Sequence, residues 1–442
     1  MSGAAELRQA VGGLGRWVSE LSWAEVPAEV RERLLVVLTD SIAVTALGSR
    51  DPAQRALVAA WDAPDGPSPL FGTGRAVAVD AAAWLNAVAA VRLELDDGHR
   101  LAAGHPAAHG FPAVLALAAR RGVRGAELCC ALLAAYEVAA RFGRATRLRP
   151  GTHPHGNWGV PGAAAGCARL LGLGPAETAA AIDAGGGLPV AGPFSAALDG
   201  NPVRDAWVGA ANQSGLAAAR LAASGAGQVT GVAADALGGL LGELDPAVLT
   251  GGGWEVLGGY FKQHSSCSFT HAAIDAALSV REQVGPDPAE VLVEIHSLGA
   301  GLDRTSWPTP LAARFSLPFV VATALRRGRV GPAEFSAAAL ADPGTAELAR
   351  RVVVREVPDL DARLPAERPV RLTAAGVVAE RPNPVGDAAF HPFSAADRVR
   401  VLGELLGAPE VVAGVRERCA ALPDAVDAAA ELRALGASCQ VR

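Results

Sequence analysis

Lysine is almost absent from this sequence. One residue, Lys262, stands against thirty-eight arginines. Arginine stays protonated at any working pH, whereas a desolvated lysine can serve as base, acid or imine former. The scarcity marks Lys262 for chemistry; the competing reading is a stray lysine on a solvated face. Aromatic residues are also few, 5% of the chain, so a core built on large rings is excluded. Close helix packing through alanine and glycine is the alternative. No stretch reaches 18 clean apolar residues, which excludes a membrane-spanning helix. The N-terminus lacks the basic start and apolar centre of a signal peptide. The six cysteines show no CxxC spacing, which excludes a disulfide framework and an iron–sulfur cluster and fits a reduced, cytoplasmic setting. Net charge is -6 and no Lys/Arg run occurs, which argues against nucleic acid as a partner. GxSxG, HExxH and a GxGxxG after a strand are all missing, so a serine hydrolase, a zinc protease and a dinucleotide enzyme lack support.

Half of the 442 residues are hydrophobic and 19% are charged, enough for a packed protein of two or three domains. Up to about residue 255 the pattern is helical. EVRERLLVVLTDSIAVTAL, AELCCALLAAYEVAARFG and NQSGLAAARLAASG each carry apolar positions at helical spacing. After GGGWEVLGGYFKQ the texture changes. THAAIDAALSVREQV reads as a helix, VLVEIHSL as a strand, FSLPFVVATALRRG as a helix, and RVVVREVPDLD and ERPVRLTAAGVVAER as strands. The last helices return to the first body. The expected fold is mainly α with an α+β second domain: residues 1–257 helical, 258–391 an α+β lid, and 392–442 the helical return.

Polar residues gather in four places. LELDDGHRLAAGHPAAHGFPAV holds Glu94, Asp96, Asp97, His99, His105 and His109, with a helix expected from near Phe111. His99 and Arg100 read as capping and solvation. His109, at the helix entry, reads as functional. His105 and His109 stand four apart, but Pro106 argues against a helix carrying both, and no metal site is expected. GTHPHGNWGVPGAAAG sets His153 and His155 before Gly156, Gly159 and Gly162, glycines that permit a backbone to approach a ligand. DGNPVRDAWVGAANQSG carries Arg204, and FKQHSSCSFTH carries Lys262, His264 and His271.

Taken together, DD…GHPAAHGFPAVLALA, HPHGNWGVPGAAAGCARLLGL, VRDAWVGAANQSGLAAARLA, FKQHSSCSFTHAAIDAAL and ARFSLPFVVATAL resemble successive signatures of the MmgE/PrpD family, over about residues 30 to 415. That family includes 2-methylcitrate dehydratase, cis-aconitate decarboxylase and an iminodisuccinate epimerase. The resemblance implies a large helical domain with a small α+β lid, a cofactor-free site at their boundary, and a homodimer. It implies His109, His153 and Lys262 as catalytic residues. Glu94, Asp97, His105, Arg204 and His271 would bind the substrate, a small carboxylic acid. Three positions depart from the decarboxylase-like pattern. Gly98 replaces a threonine, Arg204 replaces a lysine, and GAGLDRTSWPTPLAARFS lacks a tyrosine, Tyr136 and Tyr260 lying elsewhere.

The family chemistry is proton transfer at a carbon next to a carboxylate. Arg204 and Lys262 would stabilise the charge that builds up, and His109 and His153 would act as base and acid. The expected activity is a cofactor-independent lyase, a dehydratase or a decarboxylase. The alternatives are an epimerase or isomerase of a related acid, and a non-catalytic helical scaffold. His109, His153, Arg204 and Lys262 are expected to converge on one cleft.

Overall fold

The computed structural model describes residues 3–387 and 392–439. Long helices form most of it: Gly3–Glu20, Ala28–Gly48, Val79–Val91, Pro106–Arg121, Gly125–Ala145, Val160–Leu170, Pro175–Gly186 and Val203–Ala223. Their apolar positions merge in one core in which alanine predominates. Leu128, Leu132, Ala135 and Ala139 of one helix meet Ala164, Ala165 and Ala168 of another with no exposure. Each alanine buries little area, so cohesion comes from many close contacts rather than a few large rings.

The helix expected from Phe111 begins five residues earlier, at Pro106. Proline is at home in a first turn, where its missing N–H would be unpaired anyway. His109 therefore sits within that first turn. Pro112, deeper in the same helix, leaves the Ala108 carbonyl without its i+4 donor. Asn212, fully buried, repairs this: its Nδ2 donates to the Ala108 oxygen at 2.9 Å and its Oδ1 accepts from the Ala113 N–H at 2.9 Å.

A second apolar core surrounds a four-stranded sheet, ordered Val377–Arg381, Val370–Ala374, Val291–Ile295, Val352–Glu356. The first three strands run antiparallel; Val352–Glu356 joins the edge in parallel with Val291–Ile295. Alternate burial along Val291–Ile295 and Val370–Ala374 turns one face onto the helices His271–Val284 and Leu317–Arg327. The mixture of a helical body and a small α+β unit is the one the sequence indicates. The expected return point after residue 391 lies outside the described residues.

Beyond that gap, Ala395–Leu406 and Pro409–Ala421 pack on Ala28–Gly48. Arg398 fastens the joint. Its guanidinium donates to Asp40 at 2.5 Å, to the Lys262 carbonyl at 2.6 Å and to the Leu95 carbonyl at 2.9 Å. Both charged groups are buried. The segments carrying Lys262 and Asp96 thus share one anchor.

Candidate functional site

Residues 93–97 follow the end of Val79–Val91 and lead into Gly98–His99, which pairs with Gly259–Tyr260. Glu94 takes φ +53°, a left-handed conformation that a glutamate adopts at a cost of about 1 kcal/mol. Its side chain holds it there: one carboxylate oxygen accepts from Arg204, and Oε2 accepts from Lys262 Nζ at 3.0 Å. Lys262 also donates to Asp96 Oδ1 at 3.1 Å. Arg204 donates to Asp205 at 2.9 Å, and Arg92 reaches Asp205 from the far side at 2.9 Å. Glu94, Asp96, Arg204 and Lys262 are all at most 3% exposed.

Burial opposes the ammonium of Lys262, but Asp96 and Glu94 outweigh it and raise the pKa above the ordinary lysine value. Burial likewise opposes the charged forms of Glu94 and Asp96. Arg204 and Lys262 overcome it for Glu94, His105 and Lys262 for Asp96, and both carboxyls are held below their usual range. Lys262 is therefore a fixed cation, and the solvated-face reading of the lone lysine does not hold.

Four imidazoles stand beside this network. His105 Nδ1 donates to the Asp97 carbonyl at 2.6 Å, and Asp96 Oδ2 lies 3.0 Å from the same nitrogen as a charge contact. In the neutral ring this leaves Nε2 as an acceptor, whereas the protonated ring adds its charge to the field on Asp96. His153 Nδ1 accepts from the His155 N–H at 3.1 Å, which puts the ring proton on Nε2. His153 stacks on Phe194 at 5.4 Å, and burial, with Arg204 nearby, holds its pKa well below the ordinary histidine value. His109 has both nitrogens engaged: Nδ1 donates to the His105 carbonyl at 2.8 Å and Nε2 accepts from the Gly156 N–H at 3.1 Å. Burial lowers its pKa to about 4. His155 lies among the other three, its Nε2 buried without a hydrogen-bond partner among the described residues.

A cleft of about 460 Å³, its mouth included, opens onto these groups. Glu94, His105, His153, Arg204 and Lys262 line it. Three other expected site residues do not. His109 lies behind His105 and Trp158 with no exposure. Asp97 offers His105 only its backbone oxygen, and burial raises the pKa of its own carboxyl. His271 turns toward the Ser266 carbonyl and His264. Of the expected convergence, His153, Arg204 and Lys262 meet in the cleft and His109 supports it from behind. His99 pairs with Glu255 at 3.3 Å and accepts from the Ala102 N–H. The glycines of the GNWGVPG run make room for protein rather than ligand: a Cβ at Gly159 would lie 2.4 Å from the His109 side chain, and one at Gly162 would lie 2.4 Å from the Ala135 carbonyl.

Two lining residues escaped the sequence reading. Arg368 comes from the turn before Val370–Ala374; it lies over Phe269 at 5.2 Å, and its Nη2 donates to the Arg100 carbonyl at 3.3 Å. No carboxylate lies within ion-pair distance of it among the described residues. One arginine among thirty-eight carries no signal in the sequence. The other is Tyr260, two residues before the lysine. Among the described residues no three His, Cys, Asp or Glu side chains are grouped to hold a metal ion, and no helix is long and apolar enough to cross a membrane.

The MmgE/PrpD N-terminal domain matches residues 12–241, and the MmgE/PrpD C-terminal domain matches residues 264–400. The chain is similar to the cis-aconitate decarboxylase-like protein oryM of Aspergillus oryzae, 34% identical over 182 residues, 38% of each chain. It is also similar to cis-aconitate decarboxylase of Aspergillus terreus, 29% identical over 284 residues, 59% of this chain and 58% of that one. The matched stretches thus span from under two fifths to under three fifths of those relatives' length. The two domain matches cover most of the sequence, and on that ground the chain belongs to the MmgE/PrpD family.

Proposed function

We propose that this protein is a cofactor-independent lyase that moves a proton at a carbon next to a carboxylate of a small polycarboxylate or hydroxy acid. One observation carries the reading: two imidazoles in opposite tautomers face one cleft floored by a fixed lysine and a fixed arginine. His105, its Nδ1 proton held by the Asp97 carbonyl with Asp96 beside it, has a basic Nε2 for the substrate proton. His153, kept neutral with its proton on Nε2, is a hydrogen-bond donor to developing negative charge or to a leaving hydroxyl. Arg368, which among the described residues has the Arg100 carbonyl and the Phe269 ring as partners and no carboxylate, receives a substrate carboxylate. Lys262 and Arg204, neutralised by Glu94, Asp96 and Asp205, set the field of the site. In this reading His109 and His271 position the loops that carry the cleft.

Dehydration is the leading reaction, and decarboxylation has the support of the relatives named cis-aconitate decarboxylase. The second reading is an epimerase or isomerase. Two imidazoles lining one cleft favour it, since epimerisation needs an acid opposite the base. The test is a panel of di- and tricarboxylates, screened by thermal shift and then followed by NMR in deuterated water. Net loss of water or carbon dioxide supports the lyase. Exchange of a carbon-bound proton with neither loss supports the epimerase. No binding and no exchange with any acid would leave a non-catalytic scaffold.

A further inference from the structure

Tyr260 lies in the interval between the two domain matches. Side chains alternate along the extended segment that carries it. Phe261 turns into the body, with the Arg33 guanidinium 4.4 Å from its centroid and that of Arg398 5.3 Å away. Tyr260 and Lys262, on either side, both face the cleft. The backbone of Tyr260 pairs with that of Gly98 in a short antiparallel ladder. A Cβ placed on Gly98 would lie 2.3 Å from Tyr260 Cζ and 2.5 Å from its hydroxyl oxygen. Any side chain at position 98 would drive the ring away, so the glycine is what admits it. The phenol hydroxyl has no hydrogen-bond partner among the described residues, although Glu94, Arg204 and Lys262 around it are all paired.

We propose that Tyr260 is a substrate-contacting residue whose hydroxyl donates a hydrogen bond to the bound acid, and that Gly98 exists to make room for it. This rests on the reading of the site given above. The competing account is packing alone: an aromatic ring covering a glycine across a strand pair and walling the cleft off from a second hollow beside Leu257 and Glu255. Phenylalanine keeps that wall and removes only the hydroxyl.

The full chain labelled with 3-fluorotyrosine should give two fluorine resonances, because it has two tyrosines. The one missing from Tyr260→Phe is assigned by difference. Titration with cis-aconitate, citrate and malate should shift the Tyr260 resonance and leave the fully buried Tyr136 unmoved. For the acid that is turned over, Tyr260→Phe should lower turnover about ten- to a hundredfold with an unchanged melting curve. Gly98→Ala should lose a similar factor, and the double variant should be no worse than the poorer single one. A silent Tyr260 resonance while the acid raises the melting temperature overturns the proposal, as does a Tyr260→Phe variant within about twofold of native turnover. If no acid binds or exchanges, the reading of the site falls and this inference with it. If binding and exchange survive and Tyr260 is silent, this inference falls alone.

Discussion

Replacing Lys262 by methionine tests the central network, because it removes the ammonium and keeps most of the side-chain volume. The lysine is 1% exposed and lies 3.0 Å from Glu94 and 3.1 Å from Asp96. Without it Glu94 keeps Arg204 and Asp96 keeps His105, but two buried carboxylates face each other across the vacated space. Removing one partner of a buried ion pair costs about 3–5 kcal/mol. At roughly 2.1 cal/mol/K per residue, 442 residues melting as one unit have an unfolding entropy of about 0.9 kcal/mol/K, so the melting temperature should fall by about 3–5 °C. Lys262→Arg should also destabilise, by about 1–3 kcal/mol, because a longer planar group must enter a filled site. Turnover should drop at least about a hundredfold in both variants.

The pH dependence makes the test specific. The pKa of Lys262 is raised by folding, so its contribution is complete below the unfolded lysine value and fades as pH rises through the folded one. Those of Glu94 and Asp96 are lowered, so their contribution is complete above the unfolded carboxyl value and fades as pH falls through the folded ones. Between about pH 5 and 9 the native network therefore contributes constant stability. In Lys262→Met one of the two carboxyls should take up a proton within that window. The destabilisation should then shrink, by about 1.4 kcal/mol for each pH unit below the new pKa. Denaturant unfolding of both proteins from pH 5 to 9 measures this. A methionine variant within about 1 kcal/mol of native, with a difference that ignores pH, refutes the reasoning.

Arg398→Met should cost about 3–5 kcal/mol in denaturant unfolding, since it strands buried Asp40 and frees the carbonyls of Lys262 and Leu95; a loss below about 1 kcal/mol would deny it the role of anchor. His109 should make the protein lose stability as pH falls below about 6.5, because the unfolded imidazole then takes a proton that the folded one, at about 4, refuses; between pH 6.5 and 5 native protein should lose up to about 2 kcal/mol more than His109→Gln, and equal slopes would contradict this. Arg368→Ala should raise KM about tenfold or more with a smaller change in kcat and no change in melting, and steady-state kinetics showing an unaltered KM would remove it from the site. Activity should survive exhaustive chelation, whereas loss restored by zinc would recast the histidine loops as ligands.

Much of the fold was legible because its signals are local. Helical spacing and glycine stops marked many of the helices, and strand alternation marked Val291–Ile295 and Val352–Glu356; ERPVRLTAAGVVAER, read as one strand, folds as the hairpin Val370–Ala374 and Val377–Arg381 about Ala375 and Gly376. The entry of the Pro106–Arg121 helix was misread because Pro106 was taken as a breaker when it occupies a first-turn position that suits it. The short ladder of Gly98–His99 with Gly259–Tyr260 left no trace in the sequence, since two residues carry no periodicity and the strands stand 160 positions apart. Depth was the other thing concealed. His105 and His109 share one motif, yet one helical turn sets the first at the cleft and the second behind it. Sequence spacing gave their proximity without giving which of them a substrate could meet.

The departures from the decarboxylase-like pattern look different once they are read in space. Gly98 lacks a hydroxyl and the RFS-preceding loop lacks a tyrosine, and taken singly each reads as a loss. In the fold Gly98 is the surface against which the Tyr260 ring lies, so the missing side chain and the place of that ring at the cleft go together. Arg204 is similar: it cannot release a proton as lysine might, but it bridges Glu94 and Asp205 and fixes the strained Glu94 backbone beneath Lys262. With Arg204 committed to structure, Lys262 is the remaining ammonium, and it too is held charged. In the proposed reading His105 takes the substrate proton, and His153, its pKa held well below the ordinary histidine value, donates a hydrogen bond from Nε2. In that reading the lone lysine serves as a fixed cation, and the acid–base work is assigned to the imidazoles rather than to Lys262.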